Sequence, residues 1–264
     1  MKKITFLLMS IIPNAVIAAP QTSSVFSGSL VFPNSALPSD DDNLNAETTL
    51  THSVNYGRVL GTADFILYSA LFGARDSQDN RFASKQRLSI GAKLRYELFA
   101  GAKVAFGARY DMDNRDLSQT RYKRWIATAD FDLWKRLNPA KDGDQIVLSG
   151  WANLRNSAGR DGARADNWVG QGRFEVAREI TRLRHIDPAP SVGVFLGAGF
   201  VTDHEGLDYN NKVKIDGGIR LKWPIYDRGN LNLNLRYTAD RRYISDETHH
   251  GPSISMSWYV PFNF

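Results

Sequence analysis

The feature that most restricts this chain is a two-residue alternation that runs to its last residue. In segment 251–264, Ile254, Met256, Trp258, Val260, Phe262 and Phe264 alternate with Ser253, Ser255, Ser257, Tyr259 and Asn263. Successive side chains of a strand point to opposite faces, so one face is apolar and the other small or polar. The preceding segment repeats this, with Leu231, Leu233, Leu235, Tyr237 and Ala239 opposing Asn232, Asn234, Arg236, Thr238, Asp240 and Arg242. Earlier still, Val213, Ile215, Ile219, Leu221 and Trp223 oppose Lys212, Lys214, Asp216, Arg220 and Lys222. Too few helical stretches remain to cover so much apolar surface, so it must meet lipid or another sheet.

Alternating runs recur near 24–36, 46–57, 59–74, 85–98, 100–111, 120–134, 144–156, 167–181 and 190–202. With the last three they predict an all-β, antiparallel up-and-down transmembrane β-barrel of about 12 strands, an even number as such barrels require. Polar connections such as 75–83, 111–119, 157–167 and 202–211 are assigned outside the cell. Tight turns at Tyr56-Gly57-Arg58 and Phe99-Ala100-Gly101, with longer connections at 136–143, 181–190 and 224–229, are assigned to the periplasm. Tyr56, Phe72, Tyr96, Phe99, Tyr110, Trp125, Trp168, Trp223, Tyr237, Trp258 and Phe262 fall near strand ends, where they suit interfacial girdles or ordinary sheet packing.

Residues 1–18 read as a secretory signal peptide: Met1-Lys2-Lys3, an apolar run over 4–12, then small residues before Pro20. Cleavage after Ala18 is favoured over Ala19, leaving 19–264 as one outer-membrane β-barrel domain. No second stretch approaches the roughly 20 apolar residues of a membrane helix. The absence of cysteine excludes a cysteine-linked lipid anchor, disulfides, thiol catalysis and cysteine-bound zinc. Mean hydropathy lies below zero, as alternation dilutes the apolar signal.

If the apolar face meets lipid, the other face lines a lumen. Its basic candidates are Arg87, Lys93, Arg95, Lys103, Arg109, Arg124, Arg155, Arg173, Lys212, Lys214, Arg220, Lys222, Arg236 and Arg242. Glu97, Asp130, Asp132, Glu175, Asp216 and Asp240 oppose them. Two readings stand: a charge-paired wall, because confined charges must be paired or hydrated, and a cationic pore that draws anionic solutes. The net charge of +5 accompanies no nucleic-acid motif, so nucleic acid is not an expected partner.

No catalytic residue, metal site or cofactor is expected, and the chain is read as a non-enzyme. His52-Ser53 makes a poor nucleophile–base pair because neighbours on a strand face opposite ways. His204, with Asp203 and Glu205 near His249 and His250, would bind metal only if the loops met. Asp40-Asp41-Asp42 suits a solvated acidic loop or a divalent bridge to lipopolysaccharide.

The terminal Phe264, with Trp258 and Phe262, resembles the signal by which the assembly machinery reads Gram-negative outer-membrane barrels. Gln171-Gly-Arg-Phe-Glu-Val-Ala-Arg178, Gly217-Gly-Ile-Arg-Leu-Lys-Trp223 and Leu233-Asn-Leu-Arg-Tyr237 resemble strands in the C-terminal barrel of bacteriophage adsorption protein A. That family also carries a helical-repeat periplasmic region, which this chain lacks. The resemblance implies surface-polysaccharide export and use by phage as a receptor. The expectation is a channel or export barrel in the outer membrane for anionic or polar solutes such as saccharides. Its partners would be outer-membrane lipid, lipopolysaccharide, the barrel assembly machinery, and an anionic saccharide or phage. The alternatives are a plugged barrel serving as surface receptor, adhesin or phage attachment site, and a lipid-modifying enzyme.

Overall fold

The computed structural model describes residues 20–32, 44–59, 62–77, 84–115, 120–138, 144–156, 167–207, 211–225 and 228–263. They form β1 (Gln21–Phe32), β2 (Asn45–Val59), β3 (Ala63–Asp76), β4 (Lys85–Phe99), β5 (Ala102–Arg115), β6 (Thr120–Arg136), β7 (Ile146–Asn156), β8 (Trp168–Arg182), β9 (Ser191–Asp203), β10 (Lys212–Ile225), β11 (Gly229–Arg242) and β12 (Thr248–Asn263). Each strand pairs antiparallel with its sequence neighbours, and β1 pairs with β12 to close a barrel. The closing register runs from Ser23 opposite Asn263 to Phe32 opposite Ile254. Strand lengths run from 11 residues in β7 to 17 in β6, enough to cross a bilayer at the usual tilt.

The distribution of side chains is inverted relative to a water-soluble protein. Leu196 is 64% exposed and Leu235 57%, whereas Asp111 is fully buried and Asp216 is 1% exposed. Register places the exposed apolar residues on the outside of the cylinder and the carboxylates inside. Water would penalise that outside and hydrocarbon accepts it, while closure leaves no strand edge unpaired. The protein is therefore an outer-membrane β-barrel. Among the described residues no helix is long and apolar enough to cross a membrane; crossing is by strands. Both described chain ends lie at the rim with the two-residue turn at Ala100-Gly101, and short turns mark the periplasmic side.

All the alternating runs became strands, with shifted ends. β1 begins at Gln21 rather than 24, and residues 33–36 lie outside the described set. Tyr56-Gly57-Arg58 is not a turn. β2 continues to Val59, with a bulge between Asn55 and Arg58. Gly57 sits there at φ 81°, where its missing Cβ admits the left-handed backbone and the Asn55 side chain accepts its N–H at 2.9 Å. The turn at Ala100-Gly101 holds, with Gly101 at φ 89°. Phe72 is not a girdle residue: it points inward, beneath the Arg87 guanidinium at 4.9 Å, because its neighbour Leu71 takes the outer face.

Candidate functional site

The inner wall has two unlike arcs, and strand parity generates both. Along β12, β1 and β2 the inward residues are mostly small and hydroxyl-bearing, with Glu47 and Tyr259 among them. Ser23 and Ser53 share a hydrogen bond of 2.9 Å, and Ser255 and Ser257 face the amides of Asn234 and Asn232 on β11 at 3.2 and 3.4 Å. The remaining circumference is dominated by charge.

On β8–β11 that charge is a ladder. Asp216 accepts hydrogen bonds from Arg173 and lies 3.6 Å from Arg236; Glu175 receives Arg173 at 3.1 Å and Arg220 at 2.5 Å. Arg220 also donates to Asn234 at 2.7 Å, covers Phe195 at 4.5 Å, and Arg236 donates to Ser253 at 3.0 Å. A second cluster on β3–β6 centres on Asp111, which binds Arg109 at 3.0 Å, Arg87 at 3.6 Å and the Ser89 hydroxyl at 2.7 Å. Arg124 stands directly opposite Asp111. Arg95 pairs with Asp64 at 2.8 Å, Lys93 lies 5.5 Å over Tyr68, and Asn153 donates to Asp130.

The other predicted basic residues share the same face. Lys103 opposes Glu97 and Asp132, Arg155 opposes Thr128 and Val169, and Lys214 opposes Gly199 and Asp240. Lys212 reaches Asp240 at 3.5 Å, and Arg242 reaches Glu247 at 3.7 Å near the opposite rim. The guanidinium groups of Arg87, Arg95, Arg109, Arg173, Arg220, Arg236 and Arg242 thus meet carboxylates or aromatic faces, as buried charge requires.

Toward the periplasmic rim the wall opens into a vestibule. A cavity of about 240 Å³ is lined by Trp134, Ser149, Glu175, Arg220, Lys222 and Asn232, among others. A second, of about 450 Å³, shares Lys222 and Asn230 with it and extends to Arg182 and Arg228. Trp134 is 56% exposed and Trp151, paired in register with Asp132 and Arg173, is 42% exposed. Two solvent-facing indoles in a charged interior escaped the sequence reading. Their strand parity, shared with Asp130 and Asp132 in β6 and with Asn153 and Arg155 in β7, carried the signal.

The remaining sequence candidates do not converge. His249 faces inward beside Glu247 at 3.5 Å, while His250 faces outward against Tyr237. Asp203 is occupied by the side chains of Asn167 and Asn211. No group of three or more metal-ligating side chains forms among the described residues. Asp40–Asp42 and Phe264 lie outside the described residues, whereas Trp258 and Phe262 line the outer face of β12. His52 meets a serine after all, but across strands: Ser24 Oγ lies 2.9 Å from His52 Nδ1 on the outer face. No carboxylate or amide side chain completes that pair among the described residues.

No protein-family model matches the sequence, and no curated protein matches it. Solved structures do. The chain is similar to the β domain of the Bordetella autotransporter BrkA at 12% identity, covering 93% of this chain and all of that one (100%), with a TM-score of 0.47. It is similar to an outer-membrane channel from Pseudomonas putida F1 at 11% identity over 96% and 100% of the two chains, TM-score 0.47. LpxR from Salmonella typhimurium is matched at 8% identity over 89% and 99%, TM-score 0.42. The likeness is one of architecture and assigns no activity.

Proposed function

We propose that this barrel is an outer-membrane channel for polar solutes of the saccharide class, entered or left through the periplasmic vestibule. The observation that carries this reading is the exposed pair Trp134 and Trp151 set among amide, hydroxyl and charged side chains. A sugar ring offers an apolar C–H face that stacks on an indole, and hydroxyls around its edge that bond to Asn230, Asn232 and Ser149. Lys103 and Lys222 are both exposed on this inner face and favour solutes that bear acidic groups. Trp258 and Phe262 are read as part of the signal to the barrel assembly machinery. The surface-polysaccharide export version of the proposal rests on the resemblance to bacteriophage adsorption protein A alone.

Planar-bilayer recording tests the channel. Wild-type barrel should conduct with a preference for anions, and an acidic oligosaccharide should block the current. Trp134→Ala should weaken that block at least fivefold with little change in open conductance. Absence of conductance, or cation preference, rejects the reading. One observation favours a second: the Arg173–Glu175–Asp216–Arg220–Arg236 ladder braces the interior as a plug would. A plugged surface receptor would not conduct, and deletion of the loop around Arg160 would abolish binding of its partner, such as phage, while the barrel still assembled.

A further inference from the structure

The outer wall carries a feature that solute passage does not use. On β6, Arg121, Lys123 and Trp125 share the outward face, and all three are exposed, Trp125 at 71%. Tyr110 of β5 packs against Trp125 with ring centroids 5.4 Å apart. This pair marks the upper edge of the apolar belt, because below it the outward residues are Ala127, Ala129, Phe131 and Leu133. Lys123 lies one outward position beyond Trp125, and Arg121 two. At about 3.4 Å per residue along a tilted strand, both reach the level of lipid headgroups in the outer leaflet. Asn114 stands directly beside Arg121 and Gln86 directly beside Asn114, so the basic pair continues into a row of amides.

Beneath that row the outer wall is hollow. A groove of about 460 Å³ is bounded by Leu50, Leu71, Leu88 and Met112, with Gln86 and Asn114 also lining it. Its floor is low because Gly73 has no side chain: a Cβ there would meet only Thr48 Cγ2, at 3.6 Å. The groove is apolar and faces the bilayer; the residues at its extracellular end are hydrogen-bond donors and cations.

We infer that this face is a binding site for a phosphorylated glycolipid of the outer leaflet, a lipid of the lipopolysaccharide type. Arg121 and Lys123 take its phosphates, Gln86 and Asn114 its sugar hydroxyls, and the groove one of its acyl chains. Guanidinium and ammonium groups at headgroup level complement phosphate charge. A plain apolar wall would need neither the recess nor the amide row. Annular phospholipid offers one phosphate and no sugar.

Binding to the purified full barrel in detergent, read by native mass spectrometry, tests this with three probes: bisphosphorylated lipid A, its dephosphorylated form, and phosphatidylglycerol. Wild type should bind lipid A at least tenfold more tightly than either other probe. Arg121→Ser/Lys123→Ser should erase the preference for the phosphorylated form. Gly73→Leu, which the open space above Gly73 admits, should weaken both lipid A forms alike. Gel mobility before and after heating confirms that each variant is folded. Equal binding of the three probes by wild type, or a preference that survives the double substitution, overturns the proposal. Unchanged binding in Gly73→Leu removes the acyl groove from it. None of these outcomes depends on whether the barrel conducts.

Discussion

Asp216 shows how a single inward carboxylate organises its surroundings. Its side chain is fully buried, and it faces both Arg173 and Arg236. Removing it leaves two guanidinium groups confined without their shared counter-charge, a loss on the order of 3 kcal/mol. Asp216→Ala should therefore lower the urea midpoint of the barrel in lipid vesicles, whereas Ser27→Ala on the hydroxyl-rich arc should leave it within about 0.5 kcal/mol. Trapping of Arg173 by Glu175 alone would appear as a much smaller shift. Among the described residues no carboxylate or amide side chain joins the Ser24 hydroxyl and the His52 imidazole, which meet as a polar contact between neighbouring strands. Purified barrel should release no fatty acid from phospholipid above buffer; release that Ser24→Ala abolished would make the protein an enzyme.

At the scale of strands, the seam between β1 and β12 depends on one small residue. Gly28 lies under the Trp258 indole, and a Cβ there would collide with that ring and with the Glu47 carbonyl oxygen. Phe26 flanks the same indole at 6.0 Å. Gly28→Val should open or misalign the seam and abolish the heat-sensitive gel mobility of the folded barrel, while Gly73→Leu keeps it. The strands themselves were legible because their period of two is a local property of the chain. What the period cannot carry is pairing between distant strands. Arg220 meets Glu175 across 45 positions, and nothing in either neighbourhood announces it. So the sequence reading could list the inward charges but not decide between a paired wall and a free one. Phe72 and Gly57 failed for local reasons. Phe72 sits beside other apolar residues, which hides its parity, and a bulge imitates a turn in its glycine. Trp134 and Trp151 were readable from parity but were overlooked.

The molecule as a whole is held by its solvent on the outside and by ion pairs on the inside, so the two faces should tolerate opposite substitutions. Leu196, 64% exposed on the outer face of β9, sits among Val194 and Ala198, which share that face. Leu196→Arg should cost about 2–4 kcal/mol if it lies at the bilayer midplane, measured by unfolding from vesicles. The same charge at inward Ser257, part-buried on a polar wall beside Asn232, should cost far less. Equal penalties at the two positions would mean that the outer face does not contact hydrocarbon.

Because Ser23 pairs with Asn263, the ring is sealed by the two most distant strands of the polypeptide. Bringing such remote segments together carries a chain-entropy penalty of about 5 kcal/mol, recovered only when the final strand arrives. Until that moment β1 presents a bare ribbon of amides that any other extended chain can join. Biogenesis of this protein is thus a race between self-closure and capture by a neighbour, and a copy lacking β12 should accumulate as mixed aggregates rather than as a smaller cylinder.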